Sequence, residues 1–157
     1  MGKEKLFIER KAADNKYLHR DFFVTGDIGI AYVGETYGDV AVKEYLQQYA
    51  QSYYKLLAQE ACVRGLQSIK EYFENIYKKE EWLEYVSIDL SEETLTITID
   101  KCPAVMYMKS VGHTPCKWYK ETVYTTYRTL ADMCGLIFEV EYYSEDNGST
   151  KFFFKEG

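Results

Sequence analysis

No apolar run in these 157 residues approaches the roughly 20 needed to cross a bilayer as a helix. Basic excess is missing too. Lys and Arg number 19 against 25 Asp and Glu, the net charge is −6, and the densest basic spot, Lys78-Lys79, is followed at once by Glu80-Glu81. Binding to a phosphate backbone needs clustered cations, so the balance argues against nucleic acid as a partner. The four cysteines, at 62, 102, 116 and 134, form no CxxC pair, which leaves neither a disulfide framework nor a paired zinc-ligand spacing. No glycine-rich phosphate loop follows a strand, and there is no repeat, linker or low-complexity tract. Met1-Gly2-Lys3-Glu4-Lys5 opens a charged stretch rather than an apolar signal core. These absences predict a soluble, cytoplasmic, single domain over residues 1–157 with no metal, no cofactor and no membrane partner. Residues 1–14 are read as a strand or a frayed, flexible helical arm.

Tyrosine, by contrast, is abundant, with sixteen in the chain. Each buries a ring yet needs a partner for its hydroxyl, so a Tyr-rich interior points to half-wet cavities, a pocket or a subunit interface. Compositional drift is the alternative. Helical spacing starts at Lys16 and runs to Tyr37, with His19, Phe22, Phe23, Gly26 and Ile30 expected on one side. Gly26, Gly29 and Gly34 each lower helicity by about 1 kcal/mol relative to alanine, so something is expected to approach this helix closely. Asp39 is expected to cap a second helix, striped by Val42, Tyr45, Leu46, Tyr49, Tyr53, Leu56 and Leu57 through about residue 60. A third follows Gly65, with Leu66, Ile69, Phe73, Ile76 and Tyr77 on one face.

The period then changes to two. Val86, Ile88 and Leu90, the turn Ser91-Glu92-Glu93, and Leu95, Ile97 and Ile99 predict an antiparallel hairpin. Cys102-Pro103 ends its regular pairing, because proline has no amide hydrogen to give the ladder. Ala104–Lys109 reads as an extended continuation of the sheet. Thr114 is expected to cap a helix with Pro115 in its first position, running to Met133-Cys134 and stopping at Gly135. A second hairpin joins Leu136–Tyr142 to Phe152 and Phe154 through Asp146-Asn147-Gly148. The class expected is α+β: a four-stranded antiparallel sheet of two hairpins, covered by the N-terminal helices and by one helix between the hairpins.

Four constellations could carry chemistry. Cys102 sits at a strand end, as a pocket thiol or as a small buried hydrophobe. In His113-Thr114-Pro115-Cys116 the thiol falls in the expected first turn of a helix, where the dipole favours thiolate and His113 could serve as base. The bland alternative is an exposed loop histidine beside a buried cysteine. His19-Arg20-Asp21, with Asp27 two turns on, offers an acid–base group and a carboxylate clamp, or simply a charged helix start. Glu121 matters only if it faces the Cys102 strand. A redox pair of Cys102 and Cys116 is a further reading.

The runs His19-Arg20-Asp21-Phe22, Tyr37-Gly38, Tyr45-Leu46, Gly65-Leu66, Cys102-Pro103-Ala104 and Glu121-Thr122 resemble a family of small bacterial proteins grouped with the L-2-amino-thiazoline-4-carboxylic acid hydrolases. The likeness spans roughly residues 17–155. It extends in architecture to the small-ligand-binding domains related to vinyl-reductase and vesicle-tethering proteins, which place helices on an antiparallel sheet and often dimerise. The resemblance implies hydrolysis of a cyclic C–N bond in a thiazoline carboxylate, opened to an N-carbamoyl cysteine. On that reading Cys102 or a water near it attacks the ring carbon, His19 shuttles the proton, and Glu121 orients water or protonates the leaving nitrogen. Arg20 would hold the carboxylate, with Asp21, Phe22, Phe23 and Tyr107 completing the substrate-binding set. Phe23 stands where a second histidine is expected in close relatives. The alternative is a non-catalytic, small-ligand-binding homodimer with a tyrosine-rich pocket.

Overall fold

The structure is a computed structural model that describes the backbone of residues 16–157 and the side chains of residues 20–157. The arm expected over residues 1–14 lies outside the described residues. Along the chain come α1 (Lys16–Tyr37), α2 (Asp39–Tyr53), α3 (Lys55–Arg64) and α4 (Leu66–Lys79), then β1 (Val86–Leu90), β2 (Thr94–Ile99) and α5 (Pro103–Ser110). After these, α6 (Glu121–Cys134), β3 (Ile137–Tyr143) and β4 (Thr150–Lys155) complete the chain. The class is α+β, with an open antiparallel sheet in the order β1-β2-β4-β3. No helix among the described residues is long and apolar enough to cross a membrane.

Alternation of side chains along each strand decides which face is buried. The register aligns Ile88, Ile97, Phe152 and Val140 in one row across all four strands, and Leu90, Leu95, Phe154 and Phe138 in the next. These rows form an apolar face, and α4 and α6 cover it. Phe73 of α4 sits with its ring centroid 5.8 Å from Phe152, 6.0 Å from Phe154 and 5.2 Å from Tyr127 of α6. Phe73, Phe152 and Phe154 are completely buried. Each such ring pair adds about 0.5–1.5 kcal/mol beyond the burial itself. Behind this layer α2 seats Val42, Leu46 and Ala50, and α1 lies against α2 and α5. Tyr45, Tyr49 and Tyr53, one turn apart on α2, remain exposed on the far side.

Several boundaries differ from the sequence-based expectation. Residues 104–109 are not a strand but the body of α5. Pro103 takes its first turn, where the missing amide hydrogen costs nothing, and Cys102 is its N-cap. The next helix starts at Glu121 rather than at Pro115, because residues 117–120 form a turn. Cys116 is therefore not in a helix. Two helices, not one, thus separate the hairpins. The second expected helix is broken at Tyr54, whose ψ of 9° leaves the helical range between α2 and α3. Gly38, not Asp39, is the N-cap of α2, and the Asp39 carboxylate instead accepts the indole N–H of Trp118 at 2.6 Å. On α1 the buried stripe is Asp27, Ile30 and Gly34, while Phe22 points outward. The close approach expected at the α1 glycines occurs at Gly34 alone, where the Trp118 ring lies so near that an added Cβ would sit 2.6 Å from it.

Candidate functional site

Two clefts open on different faces of α5. The first, of about 200 Å³, is lined by Arg20 and Phe23 of α1, Glu80 and Trp82 after α4, and Pro103, Met106, Tyr107 and Ser110 of α5. Spacing explains the α5 contribution, since residues 103, 106, 107 and 110 share one helical face. Trp82 is held by its indole N–H donating to the Lys101 carbonyl at 2.6 Å. The Tyr107 hydroxyl donates to Asp21 Oδ1 at 2.6 Å, which ties the start of α1 to α5. That bond to a carboxylate keeps the phenol protonated and raises its pKa. Of the residues expected to bind substrate, Arg20, Phe23 and Tyr107 line this cleft, Asp21 supports Tyr107, and Phe22 is 69% exposed elsewhere on α1. The backbone of His19 belongs to α1, but its side chain lies outside what the structure describes. Glu121, in the first turn of α6, accepts the Thr125 hydroxyl at 2.7 Å and lines neither cleft.

Cys102 lines neither cleft. The β3–β4 turn folds over it: its amide donates to the Asn147 carbonyl at 2.8 Å, and Gly148 packs directly on its Cβ. Burial pushes the thiol pKa up, against the opposing pull of the Ala104 and Val105 amides at the start of α5. Tyr119 packs against the same Ala104, Val105 and Met108 cluster as Cys102. The result is a half-buried, protonated thiol under the turn, not a resting thiolate.

The second cleft, of about 190 Å³, is lined by Val105, Pro115, Cys116, Lys117, Tyr119, Lys120, Tyr143 and Glu145. Behind Cys116 lies Asp27, only 2% exposed although it carries a carboxyl group. Its Oδ2 is 2.7 Å from His113 Nε2, and its two oxygens accept the Cys116 amide at 3.0 and 3.1 Å. A buried carboxylate needs such partners, since losing them costs several kcal/mol. The Cys116 thiol is pushed up to about 11, first by burial and then by the neighbouring Asp27 carboxylate. The convergence of α1 with the 113–116 loop on Asp27 was missed by sequence reasoning. The signal for it was a carboxylate four residues after Phe23 and three before Ile30, on a stripe that packs inward. No group of three or more His, Cys, Asp or Glu is arranged to hold a metal ion among the described residues.

Set against family models, curated proteins and solved structures, the chain matches none of them.

A pH dependence follows from the raised groups. Cys116 and Cys134 are both pushed up to about 11 from an ordinary 9.0, and Tyr54, Tyr77, Tyr119 and Tyr127 are raised further by burial. Folded protein thus holds protons that unfolded chain releases, so this contribution is whole below pH 9 and is lost as pH climbs through 11. The melting temperature is expected to fall across that window, with the buried tyrosines gaining tyrosinate absorbance only as the fold opens. A melting temperature flat to pH 11 would contradict this assignment.

Proposed function

We propose that the first cleft binds a small planar carboxylate, held by Arg20 and stacked among Phe23, Trp82 and Tyr107. The observation that supports this reading is the guanidinium of α1 at a cleft walled by Phe23, Trp82, Tyr107, Pro103 and Met106, with Glu80 and Ser110 completing the lining. A guanidinium presents a planar fork that matches a carboxylate, and ring faces accept a flat heterocycle. The volume is below the roughly 300–1,000 Å³ of drug-sized pockets, which suits a single ring with one acidic substituent. A thiazoline carboxylate belongs to this class. Hydrolysis of its cyclic C–N bond is the catalytic extension of the same reading.

Titration with L-2-amino-thiazoline-4-carboxylate, followed by tryptophan fluorescence, tests it. Saturable binding is expected, and Arg20→Ala should weaken it by about 10- to 100-fold through loss of a charge-assisted pair. The melting temperature should hold, because Arg20 forms no ion pair among the described residues. No fluorescence response, or equal affinity in the variant, would defeat the binding reading. Saturable binding without a product heavier by one water would remove hydrolysis and leave a binding protein.

A further inference from the structure

We propose that the outer face of α2 is where a second copy of this chain docks, the two α2 helices crossing antiparallel about a two-fold axis at Tyr49. No residue of this face lines either cleft, so the inference does not rest on the carboxylate reading of the first. Tyr45, Tyr49 and Tyr53 stand four residues apart, which places them in one row along the helix. They keep 46%, 47% and 57% of their surface exposed, while Val42, Leu46 and Ala50 of the same helix are buried. The rings of Tyr49 and Tyr53 are already stacked, with centroids 5.3 Å apart and planes 17° from parallel. Tyr53 in turn meets Tyr54 edge-on at 4.9 Å, and Tyr54 meets Tyr72 at 5.5 Å. These contacts make a continuous aromatic surface rather than scattered single rings. Tyrosine is enriched where proteins meet, because one side of the ring is apolar and its tip can stay wet.

Charge identifies the occupant. No charged residue stands between Glu44 and Lys55, so ten uncharged residues are bracketed by one acid and one base. Interfaces have this pattern, with charge depleted at the centre and kept at the rim. Glu44 and Lys55 are eleven residues apart, about three helical turns, and so share one flank of the tyrosine row. The break at Tyr54 does not disturb this. Its amide still donates to the Ala50 carbonyl at 2.9 Å, and its own carbonyl accepts the Ala58 amide at 2.8 Å. Neither Glu44 nor Lys55 takes part in an ion pair among the described residues. Two-fold pairing about Tyr49 supplies a partner to both. At ~1.5 Å per residue, Glu44 lies about 8 Å to one side of the axis and Lys55 about 9 Å to the other. An antiparallel copy therefore sets Glu44 opposite the partner's Lys55, and Lys55 opposite the partner's Glu44. The same operation places Tyr45 against the partner's Tyr53 and Gln48 beside the partner's Gln51. A parallel pairing would oppose each charge to its own copy, which is repulsive. A face whose charges complement their own two-fold copy fits a second copy of the chain better than an unrelated partner.

Sedimentation velocity of the full chain over a concentration series tests this. A reversible shift from the 18.4 kDa chain to twice that mass is expected as concentration rises. Tyr49→Glu, which opposes two carboxylates at the axis, should weaken the dimer by more than about tenfold and leave the far-UV circular dichroism unchanged. Glu44→Lys and Lys55→Glu should each weaken it by about tenfold, because the axis makes every change count twice. The double variant Glu44→Lys/Lys55→Glu should restore the parent affinity. No contact within one chain explains such a recovery, since the two positions lie three turns apart on the helix. One chain mass at every concentration overturns the proposal and leaves the tyrosine row to a different partner. A dimer indifferent to Tyr49→Glu overturns it as well, by placing the contact elsewhere. Should Tyr49→Glu fail to fold, the exposed charges decide. Single variants that weaken the dimer and a double variant that restores it support the pairing, whereas unaffected singles or a failed rescue refute it.

Discussion

Gly148→Ala is expected to destabilise the protein far more than the same change at Gly135. Both glycines hold left-handed backbone, with φ of 71° and 69°, so both substitutions incur about 1–2 kcal/mol of backbone cost. Gly135 has nothing within 4 Å of an added Cβ, and there the effect should stop. At Gly148 the added methyl would overlap the Cβ of Cys102 and sit 3.0 Å from Cγ2 of Val105. Neither atom belongs to the far end of a flexible side chain, so the β3–β4 turn must lift off the start of α5. That overpacking adds about 1–3 kcal/mol. Thermal melts of the two variants measure the difference directly. The lifted turn should also expose the Cys102 thiol, seen as faster alkylation at that residue. Equal melting temperatures for Gly148→Ala and Gly135→Ala would show that the turn does not rest on Cys102 as described.

Phe152→Ala is expected to lose about 3–5 kcal/mol, the usual range for deleting a buried aromatic ring. Phe152 is completely buried on β4, and its centroid lies 5.1 Å from Tyr127, 5.8 Å from Phe73 and 5.8 Å from Phe138. Those rings come from α6, α4 and β3, so a cavity there loosens both helices from the sheet at once. For a chain of this length the loss corresponds to a fall in melting temperature of about 6–20 °C. Phe153→Ala, next in sequence but on the opposite face of β4, supplies the control, with a change expected within about 1 kcal/mol. Comparable losses at the two positions would mean that the register across β2, β4 and β3 is not the one described.

The contrast between those neighbouring phenylalanines shows what could be read in advance. The switch in hydrophobic period from helical to two marks where the helices end and the hairpins begin, because a helix and a strand bury different residues from the same stretch. α1, α4 and both hairpins therefore stood in the sequence close to where they occur. Local chemistry was less decisive where one residue serves two purposes. Pro103 stops a strand and starts a helix equally well, and nothing within residues 104–109 says which, so α5 was read as extended. The break at Tyr54 has no local marker at all. There the Tyr54 ring packs edge-on against Tyr53 and Tyr72, and α3 turns toward α4.

The candidate sites were legible only in part. The resemblance suggests Arg20, Phe23 and Tyr107, whereas Met106 and Ser110 share their cleft because residues 103–110 are helical, and Trp82 reaches it from the segment after α4. The spacing of His113 and Cys116 fits either a base with its nucleophile or a loop histidine beside a buried cysteine. The residue that connects them, Asp27, lies 86 positions from one and 89 from the other.

Composition and periodicity alone determined that this chain forms a helix-covered antiparallel sheet, since burial of alternating or every-third-to-fourth residues is a local property. Only tertiary packing decided that β4 lies between β2 and β3, that Cys102 is covered by a turn, and that Asp27 meets Cys116. Each of those depends on which distant surfaces exclude water from one another, and no short stretch of sequence records that.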